Sequence, residues 1–158
     1  MIETRIATEA DIKAMSPLLE HWIAHCNPEG YKLYPKVKIL QATFRSLLNK
    51  SITTTIVMVQ NDDLIIGVMG VVLHGWGACE QRNWASESLW YVYPSRVGYT
   101  RTLLNAACAW AKDHGADYFI VSSNRLSGPN SERMGKMFVE KLGFDPLYRL
   151  YIKELSDV

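Results

Sequence analysis

The stretch from Glu87 to Leu104, ESLWYVYPSRVGYTRTLL, decides the fold because its secondary-structure period changes from that of a strand to that of a helix. Trp84–Tyr93 is rich in aromatic and β-branched residues, which predicts a strand. Pro94–Tyr99 predicts a turn, with Gly98 as its flexible point. Apolar residues at helical spacing then predict a helix over Thr100–His114. The segment is therefore a strand–turn–helix unit.

The turn in this unit has the chemistry of an anion site. The first turn of a helix leaves backbone N–H groups without intrahelical partners, and the helix dipole is positive at that end. Arg96 and Arg101 add positive charge beside these groups. An ordinary strand–helix connection also needs an N-cap and often a glycine. The turn alone leaves both interpretations open, so the order of the other elements carries the argument.

Working outward, the sequence predicts elements in the order β-α-α-β-β-β-α-β-α-β. Thr8 is predicted to cap the first helix together with Asp11, and Pro17 to kink that helix or to divide it into two shorter helices. The predicted strands are Glu3–Ala7, Thr53–Gln60, Leu64–His74, Trp84–Tyr93, Asp117–Val121 and Leu147–Leu155, and the later helices are Val37–Leu48, Thr100–His114 and Ser131–Leu142. This order predicts an α/β (α+β) fold with a mixed, mostly antiparallel sheet of about six to seven strands, flanked by about four helices on both faces.

Composition limits the class of protein. With 158 residues, the chain is predicted to form one domain over residues 1–158. It is 48% hydrophobic and 21% charged, which excludes intrinsic disorder. The net charge of +1 argues against a nucleic-acid partner, although a local basic patch stays open. The longest apolar run, Leu64–Leu73, is too short to cross a bilayer, so no membrane partner is expected.

The cysteines and histidines predict no metal site. Three cysteines are an odd number without paired spacing, which favours free thiols, with Cys108 in the core. The N-terminus lacks the pattern of a signal peptide, and the protein is expected to be cytoplasmic. His21 and His25 are four residues apart beside Cys26, but no second ligand cluster accompanies them. A solvated or packed helix face is therefore preferred to a metal site.

Two further motifs complete the pattern, EKLGF at Glu140–Phe144 and YIKEL at Tyr151–Leu155. Together with the turn and the element order over residues 2–155, they resemble the GCN5-related N-acetyltransferases (GNAT), and most of all the small acetyltransferases of phage and bacterial genomes. In that family the turn binds the pyrophosphate of acetyl-CoA, and the preceding strand splays from the next to pair with the pantetheine arm. The resemblance implies acetyl-CoA as co-substrate, a primary amine as acceptor, direct transfer in a ternary complex, and no metal.

The family turn, Arg/Gln-x-x-Gly-x-Gly/Ala, is only partly matched here. Its first position falls on Ser95 and its last on Thr100, and only Gly98 is kept. The tyrosine that often protonates the CoA thiolate would fall at Val139. The resemblance implies backbone donors to the thioester oxygen at Tyr91 and Val92. The full set of implied cofactor-binding residues is Tyr91, Val92, Ser95, Arg96, Val97, Gly98, Tyr99, Thr100, Arg101 and Asn124.

Acetyl transfer to an amine needs a base, because an ammonium ion has no lone pair. Glu87 is the first candidate, since it lies on the strand that leads to the turn. Strand parity places it with Leu89 and Tyr91 unless a bulge intervenes, and a plain surface role is equally compatible. Tyr148 and Tyr151 are the candidate acids, although alternation separates them and favours a core or surface role.

Two other functions stay open. Ser95, Thr100 and Val139 are compatible with a degenerate family member that binds CoA or a protein partner without chemistry. Aromatic residues around the third and fourth strands are compatible with an acceptor on a nucleic-acid base, with a dimer surface or with core packing. The sequence leaves open the identity of the amine and whether the protein is a homodimer.

Overall fold

The computed structural model describes residues 1–25, 36–48, 53–75, 83–122 and 131–146. The strands in these ranges are β1 (Ile2–Ile6), β2 (Thr54–Asn61), β3 (Leu64–Gly75), β4 (Asn83–Val92) and β5 (Tyr118–Ile120). The helices are α1 (Glu9–Ala14), α2 (Ser16–His25), α3 (Val37–Leu48), α4 (Thr100–Asp113) and α5 (Ser131–Leu142), and a 3-10 helix covers Pro94–Tyr99. Apart from that 3-10 helix and the division of the first predicted helix into α1 and α2, the order agrees with the prediction as far as residue 146.

The described strands form one mixed sheet in the order β1-β2-β3-β4-β5. The first three pairings are antiparallel, which confirms the predicted meander, and β4 pairs with β5 in parallel. A parallel pair needs a crossover between its strands, and α4 supplies it. The mixed α/β fold predicted from the sequence is confirmed. The predicted last strand, Leu147–Leu155, lies outside the described residues.

Helices cover both faces of the sheet, as predicted. We call them the α1–α3 face and the α4–α5 face, after the helices that pack there. On the α1–α3 face, Phe44 of α3 and Leu19 of α2 pack against Ile56 of β2 and are fully buried. On the α4–α5 face, Leu103 of α4 packs near Val57, the next residue of β2. Successive side chains of a strand point to opposite faces, so β2 supplies both cores.

The N-terminal helical region begins and breaks where the sequence predicted. The Thr8 backbone N–H donates to Asp11 Oδ2 at 2.7 Å, and Arg5 donates to both carboxylate oxygens of Asp11 at 2.9 and 2.7 Å. The chain then breaks at Met15, and Pro17 occupies the first turn of α2, where its missing N–H costs no intrahelical hydrogen bond. Of the two predicted alternatives, the structure has two short helices and not one kinked helix.

Glycine residues with left-handed backbone conformation follow α4 and α5, at the positions where the sequence predicted that these helices end. Gly115 has φ 84° just after α4, and Gly143 has φ 71° just after α5. At the turn between β2 and β3, Asp62 has φ 50°. None of the helices in the described ranges has the length and apolar character that a bilayer crossing requires.

Candidate functional site

The sheet opens between β4 and β5. Their parallel pairing covers only three residue pairs, from Trp84 with Tyr118 to Ser86 with Ile120. Strand β4 continues to Val92, whereas β5 ends at Ile120. Within the described ranges, the edge of β4 from Glu87 to Val92 therefore has no strand partner on the β5 side. We call this opening the β4–β5 gap.

Backbone alternation decides which peptide groups face the gap. The Tyr93 N–H donates to Ile66 O at 3.1 Å, so the Tyr93 backbone faces β3. Alternate residues of a strand direct their peptide groups to the same side, so Tyr91 also faces β3 and Val92 faces the gap. Of the two backbone donors implied by the family resemblance, only Val92 is directed into the gap.

A β-bulge at Ser88 changes the face on which Glu87 lies. Gly70 of β3 pairs with Leu89, but the next residue, Val71, pairs with Glu87, so Ser88 is an extra residue in β4. Val71 is buried on the α4–α5 face, and Glu87 lies on that face with it. Tyr91 is on the α1–α3 face. The expectation that Glu87 and Tyr91 share a face is therefore wrong, because the bulge shifts the parity.

Glu87 lies immediately after the last residue of β4 that pairs with β5. The Ser122 backbone N–H donates to its Oε1 at 2.9 Å, and the Ser122 hydroxyl donates to the same oxygen. Burial raises the pKa of the Glu87 carboxyl above its ordinary 4.5, and the hydrogen bonds from Ser122 oppose part of that rise. The carboxylate thus links the two strands where they separate.

The predicted turn is a 3-10 helix, not an open loop. The Arg96 N–H donates to Tyr93 O at 2.7 Å, and the Thr100 N–H donates to Val97 O. Thr100 is only 3% exposed, so its hydroxyl is not presented at the surface. These two N–H groups and this hydroxyl are therefore not available to an anion in this conformation.

The rest of the turn is open to a ligand. The residues exposed there are Ser95, Arg96, Val97, Gly98 and Arg101, whereas Tyr99 is half-buried and packs on the α4–α5 core. Among the described residues, no carboxylate forms an ion pair with Arg96 or Arg101. A Cβ added to Gly98 would meet no atom within 4 Å. The turn therefore offers free positive charge and room for close approach.

A cluster that the sequence did not predict lies on the α1–α3 face of β4. His21 Nδ1 is 2.7 Å from Tyr91 Oη, and the His21 ring stacks on His25 with centroids 3.8 Å apart. Tyr93 meets the His21 ring edge-on at 4.8 Å, and Trp22 stacks on Tyr91 at 5.8 Å. From the sequence, His21 and His25 were recognised only as two histidines on one helix face. The partner on β4 is 70 residues away and left no signal in the sequence.

Among the described residues, the aromatic side chains around β3 and β4 do not form one continuous surface. Trp90 contacts Phe138 on the α4–α5 face, whereas Tyr91 lies on the other face with Trp22. Trp84 stacks on His74 at the far end of the strand. These described aromatic side chains are therefore divided between the two cores and the strand end.

Several predicted residues lie outside the described ranges or away from the gap. Tyr148, Tyr151 and Asn124 fall among residues that are not described. Val139, where the family has its tyrosine, is 47% exposed on α5 and carries no hydroxyl. Within the ranges that the structure covers, no group of three or more His, Cys, Asp or Glu side chains could hold a metal ion.

The fold was compared with known proteins. Neither the family models nor the curated proteins include a match to this sequence. Solved structures match over nearly the whole chain. The aminoglycoside N-acetyltransferase AAC(6')-Iy in complex with CoA gives a TM-score of 0.73 at 14% identity, covering 99% of this chain and 95% of that one.

Two further structures agree. The ribosomal-protein-alanine N-acetyltransferase from Brucella melitensis biovar Abortus 2308 gives a TM-score of 0.71 at 11% identity, over 98% of this chain and 99% of that one. A GNAT family acetyltransferase from Staphylococcus aureus gives 0.65 at 15% identity, over 98% of each chain. The family resemblance found in the sequence thus extends to the whole architecture, and this chain has the fold of the GCN5-related N-acetyltransferases.

Proposed function

We propose that this protein is an acetyl-CoA-dependent N-acetyltransferase that acts on a primary amine by direct transfer in a ternary complex. The observation that carries the proposal is the β4–β5 gap, which opens beyond the pair Ser86–Ile120 in a fold shared with acetyltransferases. The solved aminoglycoside and ribosomal-protein acetyltransferases modify amines, which supports the same class of acceptor here. Fold alone does not choose among amines.

The residues around the gap fit acetyl-CoA. The Val92 N–H faces the gap and is suited to bind the oxyanion that forms on the thioester carbonyl. Exposed Arg96 and Arg101 carry charge that complements a pyrophosphate, and Gly98 leaves space for it to approach the backbone. Val97 and Ser95 complete the exposed surface of the turn. When bound, acetyl-CoA would supply the acetyl thioester.

Glu87 is the proton acceptor that the sequence argument favours. Its carboxylate borders the gap, and its raised pKa brings it closer to the range in which a carboxylate removes a proton efficiently. The two donors on Ser122 hold the carboxylate in one orientation. With Glu87 as base, Glu87→Gln would abolish the corresponding acid limb of the pH–rate profile.

A second candidate function is CoA binding without chemistry. It is favoured by the hydrogen bonds that use the N–H groups of Arg96 and Thr100 inside the 3-10 helix. A phosphate could use these two N–H groups only if their hydrogen bonds to Tyr93 O and Val97 O were broken, and this would cost free energy that a more open turn does not have to supply. The two functions differ in one observable, since only the enzyme releases free CoA thiol when an acceptor amine is present.

Isothermal titration with acetyl-CoA tests the cofactor site. We expect Arg96→Ala to weaken binding by about 10- to 100-fold, the value of one charge-assisted hydrogen bond. Gly98→Trp should abolish binding while leaving the fold intact, because no protein atom lies within 4 Å of the added Cβ position. Arg45→Ala is the control: this exposed arginine on α3 pairs with Glu9 and is remote from the turn.

Turnover is then measured as release of thiol with four acceptors: an aminoglycoside, a peptide with N-terminal alanine, a polyamine and a lysine peptide. Binding with turnover supports the enzyme. Binding with no turnover on any acceptor supports the non-catalytic alternative. Absence of binding, or equal binding by the wild type and Gly98→Trp, would contradict the proposed cofactor site.

A further inference from the structure

The His21–Tyr91 pair has the arrangement of a positioned base. The His21 Nδ1 atom is fixed at 2.7 Å from Tyr91 Oη, while His25 and Tyr93 hold the ring from two directions. A base whose second nitrogen is held by another group is ready to act without rearrangement. His21 is half-buried, so its ring is also accessible from solvent.

The surroundings of His21 favour its neutral form. His25 lies on the same helix, Tyr91 lies on β4, and Tyr93 lies just after β4. Burial, and then the negative charge of Glu20, raise the pKa of Tyr93. Burial lowers the pKa of His21 below 6.5, and the charge of His25 lowers it further. The His25 Nδ1–H donates to the His21 backbone carbonyl at 2.8 Å, which keeps the second ring in place. A neutral imidazole at pH 7 accepts a proton.

The His21–Tyr91 pair also borders the gap, on the α1–α3 face, which is opposite the face of Glu87. Tyr91 lies on β4 beyond Ser86, where the strand no longer pairs with β5. The bulge at Ser88 places Glu87 on the opposite face, and its Oε1 already accepts two hydrogen bonds from Ser122. On the α1–α3 face, His21 is a proton acceptor that contacts this part of β4 directly, through Tyr91.

We propose that His21, oriented by Tyr91, is the general base that deprotonates the acceptor amine, and that Glu87 acts as a positioning residue that fixes β4 to the chain after β5. This inference rests on the proposed acetyltransferase function. The proposal assigns the proton of the 2.7 Å hydrogen bond to Nδ1 of His21, as donor to Tyr91 Oη, which leaves the lone pair of His21 on Nε2. This nitrogen takes a proton from the acceptor ammonium ion, and an N–H bond of the ammonium breaks.

The remaining steps balance without another reactant. The amine nitrogen attacks the thioester carbonyl carbon, so that a C–N bond forms, and collapse of the adduct breaks the C–S bond with its electron pair on sulfur. The nitrogen loses a second proton in this collapse, and one proton ends on the CoA sulfur. The proton held by His21 is released to solvent. Amide, free thiol and neutral His21 remain.

The experiment compares His21→Ala, Tyr91→Phe and Glu87→Gln, with Tyr118→Phe as the matched control. Tyr118→Phe removes the same hydroxyl group from an exposed tyrosine on β5 and keeps its ring. Using the acceptor with the highest turnover in the four-amine panel, we expect His21→Ala to lower kcat by at least about 100-fold and Tyr91→Phe by about 10-fold. Tyr118→Phe should stay within about threefold of wild type.

Three readouts separate a base from a structural residue. The acid limb of the kcat profile should disappear in His21→Ala and persist in Glu87→Gln. Free imidazole should restore part of the activity of His21→Ala and none of the loss in Tyr91→Phe. Acetyl-CoA affinity should stay within about twofold of wild type in the His21 and Tyr91 variants, since neither change removes a phosphate contact.

Other results would overturn the inference. If the acid limb disappears in Glu87→Gln and persists in His21→Ala, Glu87 is the base. If imidazole gives no rescue and His21→Ala unfolds at lower denaturant concentration, His21 is structural. Failure of the proposed function is recognised separately, because then the wild type itself releases no thiol with any of the four acceptors.

Discussion

Gly67→Ala tests how tightly the sheet is packed beneath the gap. Gly67 of β3 lies between Val59 of β2 and Val92 of β4 in adjacent pairs of the sheet. A Cβ built on Gly67 would be 2.8 Å from Val92 Cγ2, 3.0 Å from Val59 Cγ1 and 3.2 Å from the Tyr91 carbonyl oxygen. Neither valine can rotate freely, because β-branched side chains are stiff at χ1. The added methyl must therefore move β4 or distort its neighbours.

The expected change in free energy follows from two opposing effects. Overpacking a well-packed core costs about 1 to 3 kcal/mol. Replacing glycine by alanine in a strand recovers about 0.5 to 1 kcal/mol of backbone entropy. These effects combine to about 0 to 2.5 kcal/mol, and a 2.8 Å contact with a stiff valine favours the upper part of that range. We therefore expect Gly67→Ala to lower the free energy of unfolding by about 1 to 2.5 kcal/mol, with Tm lower by roughly 2 to 10 °C. Because Val92 moves with β4, acetyl-CoA affinity should also fall while the protein is still folded.

Gly75→Ala is the matched control. It makes the same chemical change in the same strand, but a Cβ on Gly75 would meet no atom within 4 Å. It should leave stability unchanged or raise it by up to about 1 kcal/mol. Urea unfolding followed by tryptophan fluorescence measures both variants. If Gly67→Ala is as stable as wild type, the added methyl group causes no steric clash. Val92→Ala removes the closest atom, so the double variant should lose less free energy of unfolding than the sum of the two single variants, and a loss equal to that sum would also contradict the clash.

Two further predictions concern single residues. Asp11→Asn should destabilise the protein by about 2 kcal/mol at pH 7, because it removes the carboxylate that caps α1 and binds Arg5. The hydrogen bond from Arg5 lowers the pKa of Asp11 below its ordinary 3.8. The contribution of the carboxylate to the free energy of unfolding is therefore complete above pH 3.8 and is lost as the pH falls below it, so the unfolding curves of wild type and Asp11→Asn should converge in acid. Burial raises the pKa of Cys108 to about 11 from an ordinary 9.0, so iodoacetamide at pH 8 should label it about 100-fold more slowly than free cysteine, as measured on the Cys108 peptide by mass spectrometry. Equal labelling rates would contradict a buried thiol.

Features set by a few neighbouring residues could be predicted from the sequence. The cap formed by Thr8 and Asp11, the break before Pro17 and the stop at Gly115 each depend on side chains or dihedral angles within one turn. The meander of β2, β3 and β4 follows from strand-type segments joined by short connections. These signals are local, so a single sequence contains them.

Features that depend on distant residues could not be predicted. Strand β4 has no break in its pattern at Ser88, and the bulge is visible only from its pairing with β3. Gly70, opposite this part of β4, lies beneath Leu47 of α3, and a Cβ there would be 2.5 Å from Leu47 Cδ1. The hydrogen bond between His21 and Tyr91 likewise joins residues on separate elements.

Cys108, expected in the core, is half-buried at the edge of the α4–α5 cluster.

One inserted residue therefore determines the chemistry that the site can perform. In a regular strand, Glu87 and Tyr91 would lie on the same face, because they are four residues apart. The carboxylate would then lie on the α1–α3 face with His21, and Ser122 could not bind it in its present position. With Ser88 inserted, Glu87 bonds to Ser122 on one face while Tyr91 bonds to His21 on the other. The bulge thus places two groups that can hold a proton on opposite faces of β4, next to the gap.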